Sequence, residues 1–484
     1  MSPSGHHVGR NALWSVLNQT AGQMMVLVVF LVTARFISQE DFGTMAIAML
    51  IAEIMRQLTI ESVGLSLMAR PSPQDQDYNA GFLIILFSSI AGAVLVFLGA
   101  SPLAQLMGNP SLEHAIHWIC LIILTFGASK THETWLAKTM QFKTLALRSI
   151  ICIAIGGGVG ITMAVHGFGL MSLIAQQIIT TLLGAVFLWS VTKWRPSFDT
   201  TKDHIFSILK FSRYLSFNST ANLINAQSDV FLSAYFLGAA PAGIYNAAKR
   251  LILSANLVMT SAIGQVSMSA LSNISQDKEK LRQSYLDFNL FTCLFTAPAF
   301  FGLAALSVPV VGILLGDKWS DVAPILSILC FPALIISFGQ LSSQIFLIIN
   351  KPYYSSVFAA LNAITNILLL VVLASFGLTY VAVAFALKTI LLFPIQLTLA
   401  HRILGLSNLL YFKKLLPSLM SSCIMGGALY FALPFLENFG HTLSILIATP
   451  CGAALYFFFL YLLDRSSVLM LVSFAKDHFR KGTA

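Results

Sequence analysis

Fourteen apolar segments of twenty residues or more follow one another along the 484-residue chain, each long enough to cross a ~30 Å hydrocarbon layer as a helix. They run over 12–34, 42–66, 79–100, 114–136, 146–165, 168–192, 208–236, 241–270, 284–307, 322–349, 354–374, 378–400, 414–434 and 441–463. In hydrocarbon every backbone polar group needs a partner within the protein, so only helices and closed barrels can span it. The alternating polar and apolar strands of a barrel do not occur here. Charged residues make up 10% of the chain, against roughly 25% in a soluble domain. The expected class is an all-α polytopic membrane protein with about 14 transmembrane helices.

The basic residues set the orientation. With the N-terminus in the cytoplasm, all but six of the 28 Lys and Arg fall in cytoplasmic segments. Among these are Lys130, Lys138, Lys143 and Arg148 around the junction of the fourth and fifth spans, and Lys193 to Arg213 after the sixth. Outside there are only Arg35 and Lys318, while Arg56, Lys249, Arg250 and Lys388 lie within spans. This asymmetry predicts an even number of helices with both termini cytoplasmic. It also accounts for the net charge of +9 without a nucleic-acid partner. The first apolar segment is too long for a cleaved leader and lacks a small-residue cleavage site. The outer loops, such as 238–242, 316–320 and 376–378, leave no room for an extracytoplasmic catalytic domain.

A weak internal repeat divides the chain. A shift of 200 residues places Asn18 on Asn218, Phe36 on Phe236 and Gly43 on Gly243. A shift of 208 places Leu106-Met107-Gly108-Asn109 on Leu314-Leu315-Gly316-Asp317. Equivalent positions six helices apart run in the same direction, so the pattern predicts two pseudo-symmetric six-helix bundles with a substrate between them. The expected lobes are 1–196 and 197–405, with a terminal helix pair and tail over 406–484.

Ionisable residues within spans mark functional candidates, because each costs roughly 2.5–3.5 kcal/mol to insert. Asn218, Asn222, Asn225 and Asp229 follow spacings of four, three and four and so share one helical stripe. Asn246, Lys249 and Arg250 open the next segment in similar register. Glu53, Arg56 and Glu61 form the charged stripe of the second segment. Cations from the two copies facing one cavity would suit a diphosphate, whose oxygens accept from several donors. Other uses stand beside this one. Arg56 could pair with Glu53 inside its helix, and Lys249 and Arg250 with Asp229. The Asn residues could bond helix to helix, and Lys388 could snorkel to the inner surface. Glu53, Glu61 and Lys388 are thus candidates for coupling or for structural roles.

Catalysis finds little support. No Ser/His/Asp set, metal-ligand cluster or phosphate-cradling glycine loop is present. His114 and His117 fall short of a metal site by at least one ligand. The six cysteines lie singly and read as small apolar side chains. Gly156-Gly157-Gly158 reads as a place of close helix packing. No cofactor is expected, and any driving force would come from an ion gradient or from the substrate's own.

Three stretches resemble a known family. They are Tyr235-Phe236-Leu237-Gly238 with Ala242-Gly243-Ile244-Tyr245-Asn246-Ala247-Ala248-Lys249-Arg250-Leu251, then Leu314-Leu315-Gly316-Asp317-Lys318-Trp319 with Ala323-Pro324-Ile325-Leu326, and Ala34-Arg35-Phe36-Ile37 with Asp41-Phe42-Gly43. They are similar to Wzx-like polysaccharide exporters of the multidrug/oligosaccharidyl-lipid/polysaccharide (MOP) exporter superfamily, in the colanic-acid and exopolysaccharide branch. The resemblance implies a V-shaped pair of six-helix bundles with alternating access. It implies transfer of undecaprenyl-diphosphate-linked oligosaccharide across the bacterial inner membrane. Lipid-linked oligosaccharide, membrane lipids and proteins of the synthesis complex such as a polymerase are the implied partners. Related murein-precursor flippases carry cavity arginines on the second and eighth helices, where Arg56 and Arg250 stand here. The first helix departs from that pattern, with Asn18 and Gln19 in place of a basic residue. The other readings are a multidrug exporter of the same fold, a membrane glycosyltransferase, and a non-catalytic scaffold of a polysaccharide-synthesis complex.

Overall fold

In a computed structural model of the chain, residues 22–436 and 440–469 are described, and every regular element among them is helical. α1 is Gly22–Ala34. Ser38 opens α2 (Gln39–Met55), its hydroxyl accepting from the Asp41 N–H at 3.1 Å, which satisfies one of the donors a helix start leaves bare. A π-helical turn, Arg56–Glu61, joins α2 to α3 (Ser62–Ala69). The three pieces make one 31-residue span. There follow α4 (Asp75–Leu106), α5 (Pro110–Lys138), α6 (Phe142–Val165), α7 (Leu170–Val191), α8 (Lys202–Leu237) and α9 (Ala239–Asn273). The rest of the chain holds α10 (Lys278–Ala305), α11 (Ser307–Leu314), α12 (Val322–Ile348), α13 (Pro352–Leu373), α14 (Leu378–Leu404), α15 (Asn408–Leu436) and α16 (Gly440–Leu463).

Eleven helices among the described residues are long and apolar enough to cross a membrane, so the expected count of fourteen is not reached there. α8 and α9 are helices of 36 and 35 residues, as the sequence predicts, but are not among the eleven. Their polar stripes explain this: the same Asn, Asp, Lys and Arg that make them interesting lower their apolarity.

One face of α4 is packed with small residues and another carries large exposed ones. α4 turns Gly81, Gly92, Ala93, Ala100 and Ala104 inward and Phe87, Val94, Leu95, Phe97 and Leu98 outward. In water that exposed surface would cost roughly 25 cal/mol per Å², and against lipid tails it costs little. Small residues inside let backbones approach, the usual basis of helix association in lipid. The glycine triplet in α6 does this twice. A Cβ on Gly156 would fall 2.0 Å from Thr180 Oγ1 of α7, and one on Gly157 would fall 2.5 Å from Val29 Cγ2 of α1.

The chain divides into two compact units, one ending at Asn246 and one beginning at Ala247. The sequence repeat and the packing units part company here. The expected second copy begins near 197, but α8 packs on α2, α3 and α4 and so joins the first unit. Inside that unit two glycines 200 residues apart lie against each other. A Cβ on Gly43 would meet the Ala239 carbonyl oxygen at 1.7 Å, and one on Gly243 would meet that of Gln39 at 2.1 Å. Each would also lie 2.9 Å from the other glycine's backbone nitrogen. Residues 200 apart thus meet reciprocally, the pattern of a local two-fold contact.

Candidate functional site

The second span places its charges by an irregularity. Glu53 and Arg56, three residues apart, share a face of any α-helix. Glu61 lies five residues beyond Arg56, about 140° round a regular α-helix. The π turn over Arg56–Glu61 bonds i to i+5 and so brings Glu61 back toward Arg56. Arg56 meets Glu53 in a two-pronged pair, Nε to Oε2 at 2.8 Å and Nη2 to Oε1 at 2.6 Å, and reaches Glu61 through Nη1. Its guanidinium also sits 5.4 Å from the centre of the Phe126 ring.

The pairing continues onto neighbouring helices. Lys130 of α5 donates from Nζ to Glu61 Oε2 at 2.7 Å and lies 3.5 Å from Glu133 Oε1, one turn further along α5. Arg148 of α6 reaches Glu133 Oε2 through Nη1 at 3.3 Å. Gly64 makes room for this: a Cβ there would fall 2.8 Å from Lys130 Cε. The result is a chain of alternating sign, Glu53–Arg56–Glu61–Lys130–Glu133–Arg148, three cations against three carboxylates. Arg56, Glu61, Lys130, Glu133 and Arg148 line a cavity of ≈ 320 Å³ together with Ser129, Ser149, Gln177, Thr180 and Thr181. Such a row of paired charges among apolar helices needs polar surroundings, since an unpaired charge there is costly.

Lys130 and Arg148, counted with the cytoplasmic segments from sequence, sit within α5 and α6 and line the first unit's cavity. Glu133 was not a candidate from sequence at all. The signal was present, because Lys130 and Glu133 are opposite charges at i, i+3 inside an apolar segment.

Other candidates are placed as follows. Asn18 lies outside the described residues, as does the side chain of Asn218. On α8, Asn222 is exposed, Asn225 half-buried and Asp229 buried. The Asp229 carboxylate accepts from Tyr245 Oη at 2.9 Å and from the Val230 N–H at 2.9 Å. Lys249 and Arg250, both half-buried on α9, belong to the second unit. Lys388 on α14 is only 7% exposed, so it does not snorkel to a surface. Its Nζ lies 4.2 Å from the centre of the Phe385 ring. Among the described residues no group of three or more His, Cys, Asp or Glu is placed to hold a metal ion.

Comparison with known proteins follows the same lines. The family described as polysaccharide biosynthesis protein matches residues 32–324. The succinoglycan biosynthesis transport protein ExoT of Rhizobium meliloti is 28% identical over 323 residues, 66% of this chain, and the match spans 65% of that relative's length, just under two thirds. The lipopolysaccharide biosynthesis protein WzxC of Escherichia coli is 24% identical over 335 residues, 68% of this chain and 67% of that protein. Among solved structures, the lipid II flippase MurJ superposes with a TM-score of 0.76 at 17% identity, covering 94% of this chain and 99% of that one. An inward-facing multidrug resistance MATE transporter of the MOP superfamily gives 0.58 at 13% identity, covering 81% and 98%. At such identities the likeness to these two is one of fold, that of polytopic all-helical transporters.

Proposed function

We propose that this chain, which belongs to the polysaccharide biosynthesis protein family, flips a lipid-linked oligosaccharide across the bacterial inner membrane by alternating access. The passenger in this reading is an undecaprenyl-diphosphate-linked repeat unit bound for exopolysaccharide, capsule or O-antigen. Both termini are cytoplasmic in it, as the basic residues are distributed. The repeat copies 1–196 and 197–405 are its moving parts and 406–484 an appendage. A polymerase and other proteins of the synthesis complex are its partners.

The observation that carries the reading is the row of alternating charges along the 320 Å³ cavity of the first unit. A sugar diphosphate cannot cross hydrocarbon unaided, so a carrier must offer it donors where water is scarce. Arg56 and Lys130 are such donors, and in this structure their bonds go to Glu53, Glu61 and Glu133. A diphosphate carries more charge than a carboxylate and the same forked acceptor geometry, so it can take Arg56 from Glu53 and Glu61. The carboxylates released would then gather protons or a coupling cation. That step ties the passenger's movement to an ion gradient. A drug exporter of the same fold handles cations instead and has less use for three basic side chains along one cavity.

Arg56→Ala is expected to abolish polysaccharide export while the protein remains in the membrane, with lipid-linked oligosaccharide accumulating in the cells. Export at the wild-type level from that variant would overturn the reading.

A further inference from the structure

The cations along the first cavity are not equally committed. Arg56 sets the two-donor edge of its guanidinium, Nε and Nη2, on Glu53 at 2.8 and 2.6 Å. Lys130 holds Glu61 at 2.7 Å. Arg148 meets its acid through Nη1, 3.3 Å from Glu133 Oε2, and Lys130 draws on the same carboxylate from 3.5 Å. Both distances exceed the roughly 2.7–2.9 Å of a strong charge-assisted bond. The edge that Arg56 gives to Glu53 is idle in Arg148: among the described residues no acceptor reaches its Nε, although the atom is buried. A buried donor without a partner is costly, and more so on a charged group, so an arriving acceptor recovers that cost. The neighbouring walls leave it room. Gly184 of α7 stands beside the guanidinium, and a Cβ there would lie 4.0 Å from Arg148 Nη1. Ser149 of α6 and Gln177 of α7 line the same cavity, and a hydroxyl and an amide can each donate to a phosphate oxygen.

We infer that Arg148 is a binding residue for the passenger's diphosphate. Its guanidinium turns to set Nε and Nη2 as a fork on one phosphate, and it gives up the 3.3 Å bond to Glu133. A planar two-donor edge matches two oxygens of a phosphate, which a lysine cannot do. Glu133 keeps Lys130 when Arg148 leaves, so no carboxylate is stranded. At Arg56 the same exchange breaks two short bonds to Glu53, against one long bond at Arg148. The inference rests on the flippase reading and adds a third helix, α6, to the residues that hold the passenger.

The test is binding, with no transport involved. Purified full-length protein in phosphatidylcholine nanodiscs, whose headgroups carry no net charge to compete, is titrated calorimetrically with farnesyl diphosphate. It is expected to bind, and Arg148→Lys, which keeps the charge but loses the fork, to weaken it by about tenfold. With isotope-labelled arginine, the Nε–H signal that disappears in Arg148→Lys should shift on saturation, a response that a purely structural arginine would not give. Unchanged affinity in Arg148→Lys, or an Arg148 signal that stays in place, would overturn the assignment. Inorganic pyrophosphate is expected to bind at least about fivefold more weakly, because the prenyl tail adds apolar burial. Equal affinities for the two would overturn the lipid-borne source of the diphosphate. If Arg148→Lys does not purify as a single species, Gly184→Leu fills the space beside the guanidinium with its charge intact. About fivefold weaker farnesyl diphosphate is then expected, and unchanged affinity would count against the site. Weakened binding in Arg148→Lys together with normal export from Arg56→Ala would leave this anion site standing and remove the flippase reading. Loss of export from Arg56→Ala with unchanged binding in Arg148→Lys would do the reverse.

Discussion

The cavities of the two units are lined differently. Around the first cavity three cations and three carboxylates alternate, and each cation touches at least one acid. The second cavity is lined by the amides and hydroxyls of Gln340, Ser343, Asn362, Thr389 and Gln396 together with Lys388. Neutral pairs also tie helices in the second unit, Tyr285 with Ser342 at 2.9 Å, Tyr411 with Asn289 at 3.0 Å and Ser337 with Asn256 at 3.0 Å, beside ion pairs such as Lys414 with Asp287 at 2.6 Å. The lesson concerns what each cavity can do on meeting an anion. The first is already neutral, so an incoming phosphate must displace a carboxylate and ligand exchange is built in. The lining of the second holds amides and hydroxyls beside a single lysine, so it offers neutral hydrogen-bonding groups where the first offers ion pairs.

Stability measurements can break this contrast, and the largest effect is expected first. Glu61→Leu takes the shared acid from both Arg56 and Lys130 and should destabilise the purified protein by about 2–3 kcal/mol. That lies below the 3–5 typical of a fully buried pair, since the Glu61 side chain is 17% exposed. Lys388→Met keeps an apolar stem of similar length in the packing and is expected to change stability by less than about 1 kcal/mol in either direction. Thermal melting of the two variants decides, and equal losses would end the contrast. A double-mutant cycle sharpens it: Glu61→Gln with Lys130→Met should show a coupling of about 1–2 kcal/mol, and additive effects would mean that the 2.7 Å contact carries no weight. The smallest effect is a difference of sign. Gly64→Ala must push Lys130 Cε, 2.8 Å from the new Cβ, away from Glu61. Gly339→Ala meets Gln396 Oε1 at an ordinary 3.6 Å and gains up to ~1 kcal/mol of helix propensity. The first is expected to lower the melting temperature and the second to raise it slightly. A rise in both would mean that the Lys130–Glu61 contact tolerates displacement.

Parts of the first site were legible from spacing. Glu53 and Arg56 at i, i+3 announce their own pairing. Glu61 does not, because five residues is the wrong interval for an α-helix and only the π turn reconciles it. Lys130 and Arg148 lie toward the ends of α5 and α6 that adjoin their short connection, where a reading by the positive-inside pattern absorbs any cation. Which way they turn depends on α5 and α6 packing beside α7, a fact with no local signature. On α8 the stripe was visible as a pattern, yet Asp229 finds its partner in Tyr245, across a one-residue turn at Gly238 (φ +93°). Lys388 illustrates the same limit, since a lysine within a span can snorkel or bury and its own helix does not choose.

What the sequence by itself determined is the class of molecule. Apolar segments of spanning length, with few charges, leave the backbone no option but helices that bond internally, and the offset of 200 residues between Gly43 and Gly243 survives as a physical contact. What only the tertiary structure decided is the company each buried charge keeps. Coulomb attraction depends on separation in space, and residues such as Glu61 and Lys130, far apart along the chain, come to 2.7 Å only because their helices pack side by side.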